Sequence, residues 1–135
     1  MSPIRILLVD DDPLFRDGLQ TILSVQPGVE VVGEAGNGLE AVQLAGQVRP
    51  DVVLMDWQMP LLDGLAAARR LKTEQPHCRV IILTTFQKPT LAREAAQAGV
   101  VAVLDKDISA AELAAAIQTA MRSDLATNGA ANGTA

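Results

Sequence analysis

The sequence predicts an α/β fold in which a single parallel sheet of five strands is wound with helices on both faces. Five short runs rich in Val, Ile and Leu alternate with five longer segments in which apolar residues recur at helical spacing. This alternation is typical of parallel sheets, because neighbouring parallel strands need a crossover connection. The first, third and fourth runs are apolar at almost every position, which indicates strands covered by helices above and below.

The five predicted strands are separated by turn signals such as Pro27-Gly28 and Arg49-Pro50. They cover Ile4–Val9, Glu30–Glu34, Val52–Met55, Val80–Leu83 and Val100–Leu104. Because each strand is followed by a helical segment, their carboxyl ends are expected to meet at one edge of the sheet.

The predicted helices begin and end at residues suited to capping. One helix starts at Pro13, and the others cover Gly38–Val48, Gly64–Glu74, Pro89–Ala98 and Ser109–Arg122. Asp12 is suited to cap the first helix, and Pro13 suits a first turn, where its missing N–H costs nothing. Ser109 with Glu112 three residues later forms a capping-box pattern. Gly99 predicts the end of the fourth helix.

The composition indicates one acidic, self-sufficient domain. The chain has 135 residues, is 49% hydrophobic and carries a net charge of −5, so it can bury a core but offers no basic surface for a nucleic-acid backbone. A single cysteine and a single histidine exclude intrachain disulfides and multi-Cys or multi-His zinc sites. We expect a folded domain over residues 1–122 and a flexible tail or linker stub over 123–135.

The chain has no apolar stretch of membrane-spanning length and no signal-peptide pattern at its start. The apolar run from Ile6 to Val9 is short and ends at three aspartates. The expected location is therefore the cytoplasm, with no membrane partner.

Polar residues that suit phosphoryl chemistry follow the predicted strands. They are Asp10, Asp11 and Asp12 after the first strand, Asp56 after the third, Thr84 and Thr85 after the fourth, and Lys106 after the fifth. Ligands of open α/β sheets bind at the carboxyl ends of strands. Gathered carboxylates repel each other unless a cation lies among them, and oxygen ligands without His or Cys suit Mg²⁺. A carboxylate can accept a phosphoryl group covalently, and a lysine and a hydroxyl would bind its oxygens.

Simpler interpretations apply to several of these residues. Asp12 is assigned as the helix cap, which leaves Asp10 and Asp11 without such a role. Thr84 could be a strand former, and Lys106 could be a solvated surface residue.

At these positions the sequence resembles the receiver domains of response regulators in two-component signalling. LLVDDDP resembles the acidic pair of that family, and VVLMDWQMPLLDG resembles its phosphoacceptor motif. ILTT contains the hydroxyl that the family has after the fourth strand, at Thr84, and LDKDIS contains the lysine that it has after the fifth, at Lys106. The resemblance runs from about Ile4 to Arg122. It implies a flavodoxin-like sheet order of 2-1-3-4-5.

The resemblance also implies a role for each site residue. Asp56 would be the phosphoacceptor. Asp11, Asp56 and the backbone carbonyl of Gln58 would bind Mg²⁺, and Asp10 would act through water. Thr84 and Lys106 would contact the phosphoryl group. The donor would be a sensor histidine kinase, and the domain would catalyse only its own phosphorylation and dephosphorylation. The region around Lys106 looks like the branch with C-terminal helix-turn-helix domains, whose receivers often form homodimers. DNA would then be reached only through an output domain that this sequence does not contain.

The sequence departs from the family pattern near the predicted site. Val103 stands where the family usually has an aromatic switch residue, and Asp105 precedes the lysine, where it is expected to face solvent. Trp57 follows the acceptor directly and would either gate the site or pack beside it. Phe86, just after Thr85, is expected to anchor its loop.

Three other classes of protein share features with this sequence. A phosphatase of the haloacid-dehalogenase type would use the Asp10-x-Asp12 pattern, but Pro13 and Leu14 replace the expected Thr or Val, and turnover of a phosphate ester would reveal it. A nucleotide or flavin binder would need a phosphate loop after the first strand, where three aspartates would repel phosphate. An unphosphorylated receiver that acts only as an interaction module would fail to accept a phosphoryl group.

Overall fold

Ten elements alternate along the chain in the structure, a computed structural model that describes residues 2–85 and 87–122. The strands are β1 (Ile4–Val9), β2 (Val29–Ala35), β3 (Val52–Met55), β4 (Arg79–Thr84) and β5 (Val100–Asp105). The helices are α1 (Pro13–Ser24), α2 (Gly38–Val48), α3 (Gly64–Glu74), α4 (Leu91–Gln97) and α5 (Ala110–Arg122). Phe86 and the tail predicted at 123–135 lie outside the described residues.

All five strands are parallel and lie in the order β2-β1-β3-β4-β5, which confirms the expected order. The chain reverses its direction of winding between β1 and β3, which are neighbours in the sheet. Their ends are level, since Val9 lies beside Met55 and the backbone N–H of Asp56 donates to the Val9 carbonyl at 3.0 Å. The residues that follow β1 and β3 are therefore brought together.

Two hydrophobic cores fill the space on opposite faces of the sheet, as expected for strands covered on both sides. Alternate residues of β1 and β3 point in opposite directions, so that Leu7 and Val53 belong to one core and Ile6 and Leu54 to the other. The first core lies beneath α2, α3 and α4, and the second beneath α1 and α5. This packing holds the carboxyl ends of the central strands in fixed positions.

The predicted caps are confirmed. The Asp12 carboxylate accepts a hydrogen bond from the Leu14 N–H at 3.0 Å and caps α1. The Ser109 hydroxyl accepts one from the Glu112 N–H at 3.1 Å, and the Glu112 carboxylate accepts the hydroxyl proton at 2.9 Å. Gly99 adopts a φ of +88° beyond the end of α4, a conformation that favours glycine.

The predicted fourth helix was longer than the observed α4. The helix begins at Leu91 rather than Pro89, because residues 89 and 90 form a turn and Thr90 makes no side-chain capping bond. Ala92 and Ala96 are exposed. Leu91 and Ala95 are the helix residues buried in the core. The helix is therefore short and attached over a small area.

Candidate functional site

Three carboxylates from two strands converge at the carboxyl edge of the sheet. Among the described residues, Asp10, Asp11 and Asp56 each offer one oxygen such that the three atoms lie within 4.8 Å of one another. Asp10 and Asp56 are buried and Asp11 is exposed. The predicted grouping of these residues is confirmed in space.

Asp10 is held by backbone contacts as well as by its neighbours. It is 1% exposed, and its Oδ1 accepts a hydrogen bond from the Asp12 N–H at 2.9 Å. The Arg16 guanidinium donates to the Asp10 carbonyl and also pairs with Glu34, with Nε 3.1 Å from Oε1. These contacts fix the loop after β1 beside the start of α1.

Lys106 reaches back from the end of β5 into this acidic cluster. Its Nζ lies 2.6 Å from Asp10 Oδ2 and 3.1 Å from Asp56 Oδ2, and its side chain is only 13% exposed. The alternative that Lys106 is a solvated surface residue is therefore wrong. The backbone N–H of Lys106 donates to the Thr84 carbonyl at 3.2 Å, which ties the loop after β5 to the end of β4.

Burial and pairing act in opposite directions on the charges of this cluster. Burial raises the pKa of Asp10, and the hydrogen bonds from Lys106 and from the Asp12 N–H only partly reverse this, so the net pKa lies above its ordinary value. Burial lowers the pKa of the Lys106 ammonium, but hydrogen bonds to Asp10 and Asp56 and their charges outweigh it, and the net pKa is raised. The cluster carries an excess of negative charge that one ammonium does not balance.

The position of Asp56 depends on a close backbone approach that the sequence analysis missed. A Cβ atom at Gly64 would lie 2.3 Å from the Asp56 carbonyl oxygen and 2.9 Å from Trp57 Cα. The Gly64 N–H donates to the Trp57 carbonyl at 2.7 Å, so α3 begins directly against the loop that carries Asp56. The only sequence signal of this approach was the final glycine of VVLMDWQMPLLDG, which is Gly64, and the role of that glycine is steric.

The loop between Asp56 and α3 also contains a strained turn. The Leu62 N–H donates to the Pro60 carbonyl at 2.8 Å across Leu61, whose φ is +71°. This is a γ-turn, and a positive φ at a non-glycine residue costs on the order of 1–3 kcal/mol. The Leu61 side chain is 80% exposed.

The remaining predicted site residues differ in burial. Thr84 is the last residue of β4 and is 1% exposed, whereas Thr85 is exposed. Gln58 is exposed two residues after Asp56. Asp105 is exposed as expected, and its carboxylate accepts a hydrogen bond from the Asp107 N–H at 2.8 Å.

Trp57 and Val103 lie on the face of the sheet that α4 covers. Both are partly buried and pack against the core beneath α2, α3 and α4. Lys88, in the loop before α4, places its ammonium 5.2 Å from the centroid of the Trp57 ring. Trp57 therefore packs beside the site and also contacts the loop that leads to α4.

The donor set fits a hard divalent cation. It consists of carboxylate oxygens from Asp10, Asp11 and Asp56, with no sulfur or imidazole among the grouped atoms, and such ligands are those preferred by Mg²⁺. Asp12, whose carboxylate is engaged in capping α1, stands outside this set. That engagement does not favour the phosphatase alternative, which needs Asp12 in the reaction.

Comparisons with known proteins show the family to which this chain belongs. A family model for the response regulator receiver domain matches residues 6–118. Two curated relatives from Bacillus subtilis (strain 168) are the uncharacterized transcriptional regulatory protein YxjL, 41% identical over 121 residues, and the transcriptional regulatory protein LiaR, 40% identical over 121 residues. Each match covers 90% of this chain, but only 56% and 57% of the two relatives, so the chain spans about half their length.

A solved structure gives the same result for the fold. The signal receiver domain of NarL from Mycobacterium tuberculosis is 32% identical, with a TM-score of 0.87, and the match covers 92% of this chain and 100% of that one. In the described part of this chain, no helix is both long enough and apolar enough to span a membrane.

Proposed function

The chain belongs to the response regulator receiver domain family, and from this premise we propose that it accepts a phosphoryl group on Asp56 in a Mg²⁺-dependent reaction. The observation that carries the proposal is the position of Lys106, whose ammonium lies 3.1 Å from Asp56 in a cluster of three carboxylates. A cation at this place suits an incoming anion that the acids alone would repel.

The donor would be a phosphohistidine of a sensor histidine kinase. A carboxylate oxygen of Asp56 attacks phosphorus, the P–N bond breaks with its electron pair leaving on the imidazole, and an acyl phosphate forms on Asp56. Bound Mg²⁺ would neutralise charge on the phosphoryl oxygens. Asp11, Asp56 and the Gln58 carbonyl would hold the ion, with Asp10 acting through water.

Lys106 and Thr84 would bind oxygens of the transferred group. Lys106 begins from two carboxylate partners, so a phosphoryl group on Asp56 gives its ammonium a new anionic partner at the same place. Thr84 ends β4, and its carbonyl accepts from the Lys106 N–H. Contacts made by these two residues would therefore change β4, β5 and the loop toward α4 together. Thr85, Trp57 and Val103 would influence that change as neighbours.

The output would be transcriptional. The supporting observations are the two relatives named as transcriptional regulatory proteins and the coverage of about half their length. DNA contact would need an output domain in addition to the receiver, because this chain carries a net charge of −5. We also propose that the protein works in the cytoplasm and that it has no catalytic activity beyond its own phosphorylation and dephosphorylation.

Intact-mass spectrometry with a small phosphodonor tests the proposal. We expect the chain to gain one phosphoryl group in the presence of Mg²⁺ and none after chelation, and Asp56→Asn to remain unlabelled. Asp63→Asn is a matched control, because Asp63 is an exposed carboxylate that caps α3 in the same loop. Equal labelling of the Asp56→Asn variant would remove Asp56 from the role, and an unlabelled wild-type chain would favour the interaction-module alternative.

A further inference from the structure

The ammonium of Lys106 has a third neighbour besides its two carboxylates. It lies 4.3 Å from the centroid of the Phe15 ring, well within the distance of about 6 Å at which a cation is attracted to a ring face. Phe15 stands in the first turn of α1, after the Asp12 cap, and packs against the core beneath α1 and α5. The ring is thus held in place independently of the acidic cluster.

Lys106 also forms a boundary between two different environments. Together with Phe15, Leu19 and Leu113 it lines a cavity of about 160 Å³ between α1 and the start of α5. Its ammonium faces the carboxylates, while the lining beside Phe15 is mostly apolar. An ammonium at such a boundary has little water to replace a lost partner.

The two kinds of partner differ in what else they can bind. The carboxylates of Asp10 and Asp56 belong to the group that suits a divalent cation, so a cation bound there competes with Lys106 for the same carboxylates and repels its charge. The Phe15 ring has no affinity for a strongly hydrated, oxygen-seeking ion in this position. The ring contact therefore remains when the carboxylate contacts are given up.

We propose that Phe15 is a positioning residue for Lys106, and that its ring keeps the ammonium at the site when Asp10 and Asp56 bind a divalent cation. This inference rests on the proposed function, in which Lys106 meets a phosphoryl group after the cation has bound. Without the ring, the ammonium would move toward solvent in the cation-loaded state. It would then have to be brought back before it could contact an incoming anion, at a cost in affinity.

Nuclear magnetic resonance of the lysine ε-methylene groups tests the position of Lys106 directly. The chain has three lysines, of which Lys88 lies over Trp57 and Lys72 lies against Gly99. We expect the Lys106 signal, identified by its loss in Lys106→Arg, to be shifted upfield by the Phe15 ring both before and after saturation with Mg²⁺. Lys88 gives a second ring-shifted signal, and Lys72 gives the reference.

A graded change of the ring separates electrostatics from packing. Phenylalanine at position 15 is replaced by its 4-fluoro, 3,5-difluoro and 3,4,5-trifluoro analogues, which keep the shape but weaken the negative ring face, and by Leu. At saturating Mg²⁺ we expect the affinity for beryllium trifluoride, a phosphoryl mimic, to fall stepwise by about two- to fivefold in total. Ile22→Val, in the same cavity wall but two turns further along α1, should bind as the wild type does.

The outcomes separate this inference from the proposed function. A Lys106 signal that moves to the position of the Lys72 signal on adding Mg²⁺, or an affinity that is flat across the fluorinated series, overturns the role of Phe15 while labelling of Asp56 still stands. A wild-type chain that neither binds beryllium trifluoride nor takes a phosphoryl group overturns both. A retained upfield shift together with a graded loss of affinity supports the inference.

Discussion

The ammonium of Lys88 lies 5.2 Å from the centroid of the Trp57 ring, and Trp57 directly follows Asp56. The same ammonium lies 2.9 Å from Glu94 Oε1 in α4. Lys88 therefore connects the residue beside the proposed acceptor to a short helix that lacks a side-chain cap.

Replacing Lys88 by Gln should destabilise the chain modestly, because it removes both the ring contact and the ion pair. We expect the free energy of unfolding to fall by about 0.5–1.5 kcal/mol, since both groups are partly exposed. Urea denaturation followed by the fluorescence of the single tryptophan measures the change. Lys88→Arg, which keeps the charge, should stay close to wild type, and equal losses in the two variants would contradict this account.

Asp10→Asn should stabilise the chain in the absence of divalent cations. Because burial raises the pKa of Asp10, this group favours the folded state at acidic pH, and that contribution is lost as the pH rises through its folded-state value. At neutral pH the ionised carboxylate therefore costs stability, and the amide should raise the Tm by about 2–8 °C per kcal/mol recovered. Thermal melting with chelator tests this, and a lower Tm for the variant would show that the Lys106 pair outweighs burial.

With Mg²⁺ added, the wild type rather than Asp10→Asn should have the higher Tm. The wild type is expected to gain Tm with Mg²⁺ concentration, because a ligand that binds only the folded chain stabilises it. Asp10→Asn removes one oxygen donor of the cluster and should gain less. Equal gains would exclude Asp10 from the binding of the ion.

Cys78 should be almost inert in the folded chain. It is 6% exposed, and burial raises the pKa of its thiol to about 12, so its reactive thiolate at pH 8 should be about a thousandfold scarcer than in the unfolded chain. Iodoacetamide labelling with and without about 8 M urea, which is enough to unfold most small domains, measures the ratio of thiol reactivity in the unfolded and folded chain. The raised pKa also predicts stability that is complete below about pH 9 and declines as the pH rises toward 12. Comparable labelling of folded and unfolded chain would contradict this burial.

Gly64→Ala should damage the site through the backbone. Its Cβ would lie 2.3 Å from the Asp56 carbonyl oxygen, so we expect a loss of about 1–3 kcal/mol or more and slower labelling of Asp56. Gly46→Ala is the matched control, because position 46 lies within α2 and a Cβ atom there would lie 3.9 Å from Gln75 Nε2, an ordinary van der Waals contact. That variant should gain about 0.5–1 kcal/mol. Similar urea midpoints for the two variants would show that α3 can shift away from Asp56.

The sequence was sufficient to predict the fold and the grouping of the acidic residues. Apolar strand runs and helical spacing determine which segments are buried, and the parallel arrangement then forces Asp10, Asp56 and Lys106 to the same edge. Errors occurred where burial is weak. The edge strand β2 is longer than predicted, at Val29–Ala35, because its half-buried and polar residues blur the pattern.

Contacts between side chains of distant segments could not be predicted from the sequence. Nothing in the spacing of Phe15 and Lys106 indicates that a ring in α1 and an ammonium in the loop after β5 meet. The same holds for Arg16, whose Nε lies 3.1 Å from Glu34 Oε1 in β2. Such contacts depend on ångström-scale placement of helices, which periodicity does not encode.

The sheet order has a mechanical consequence. Asp56 follows β3, the middle strand, which is hydrogen-bonded on both sides, whereas Lys106 follows β5, an outer strand with one hydrogen-bonded neighbour. Displacing β3 would break two ladders, but displacing β5 would disturb only one. A tightening of the link between the two residues would therefore be accommodated more easily by the outer strand β5, which α4 and α5 contact on its two faces.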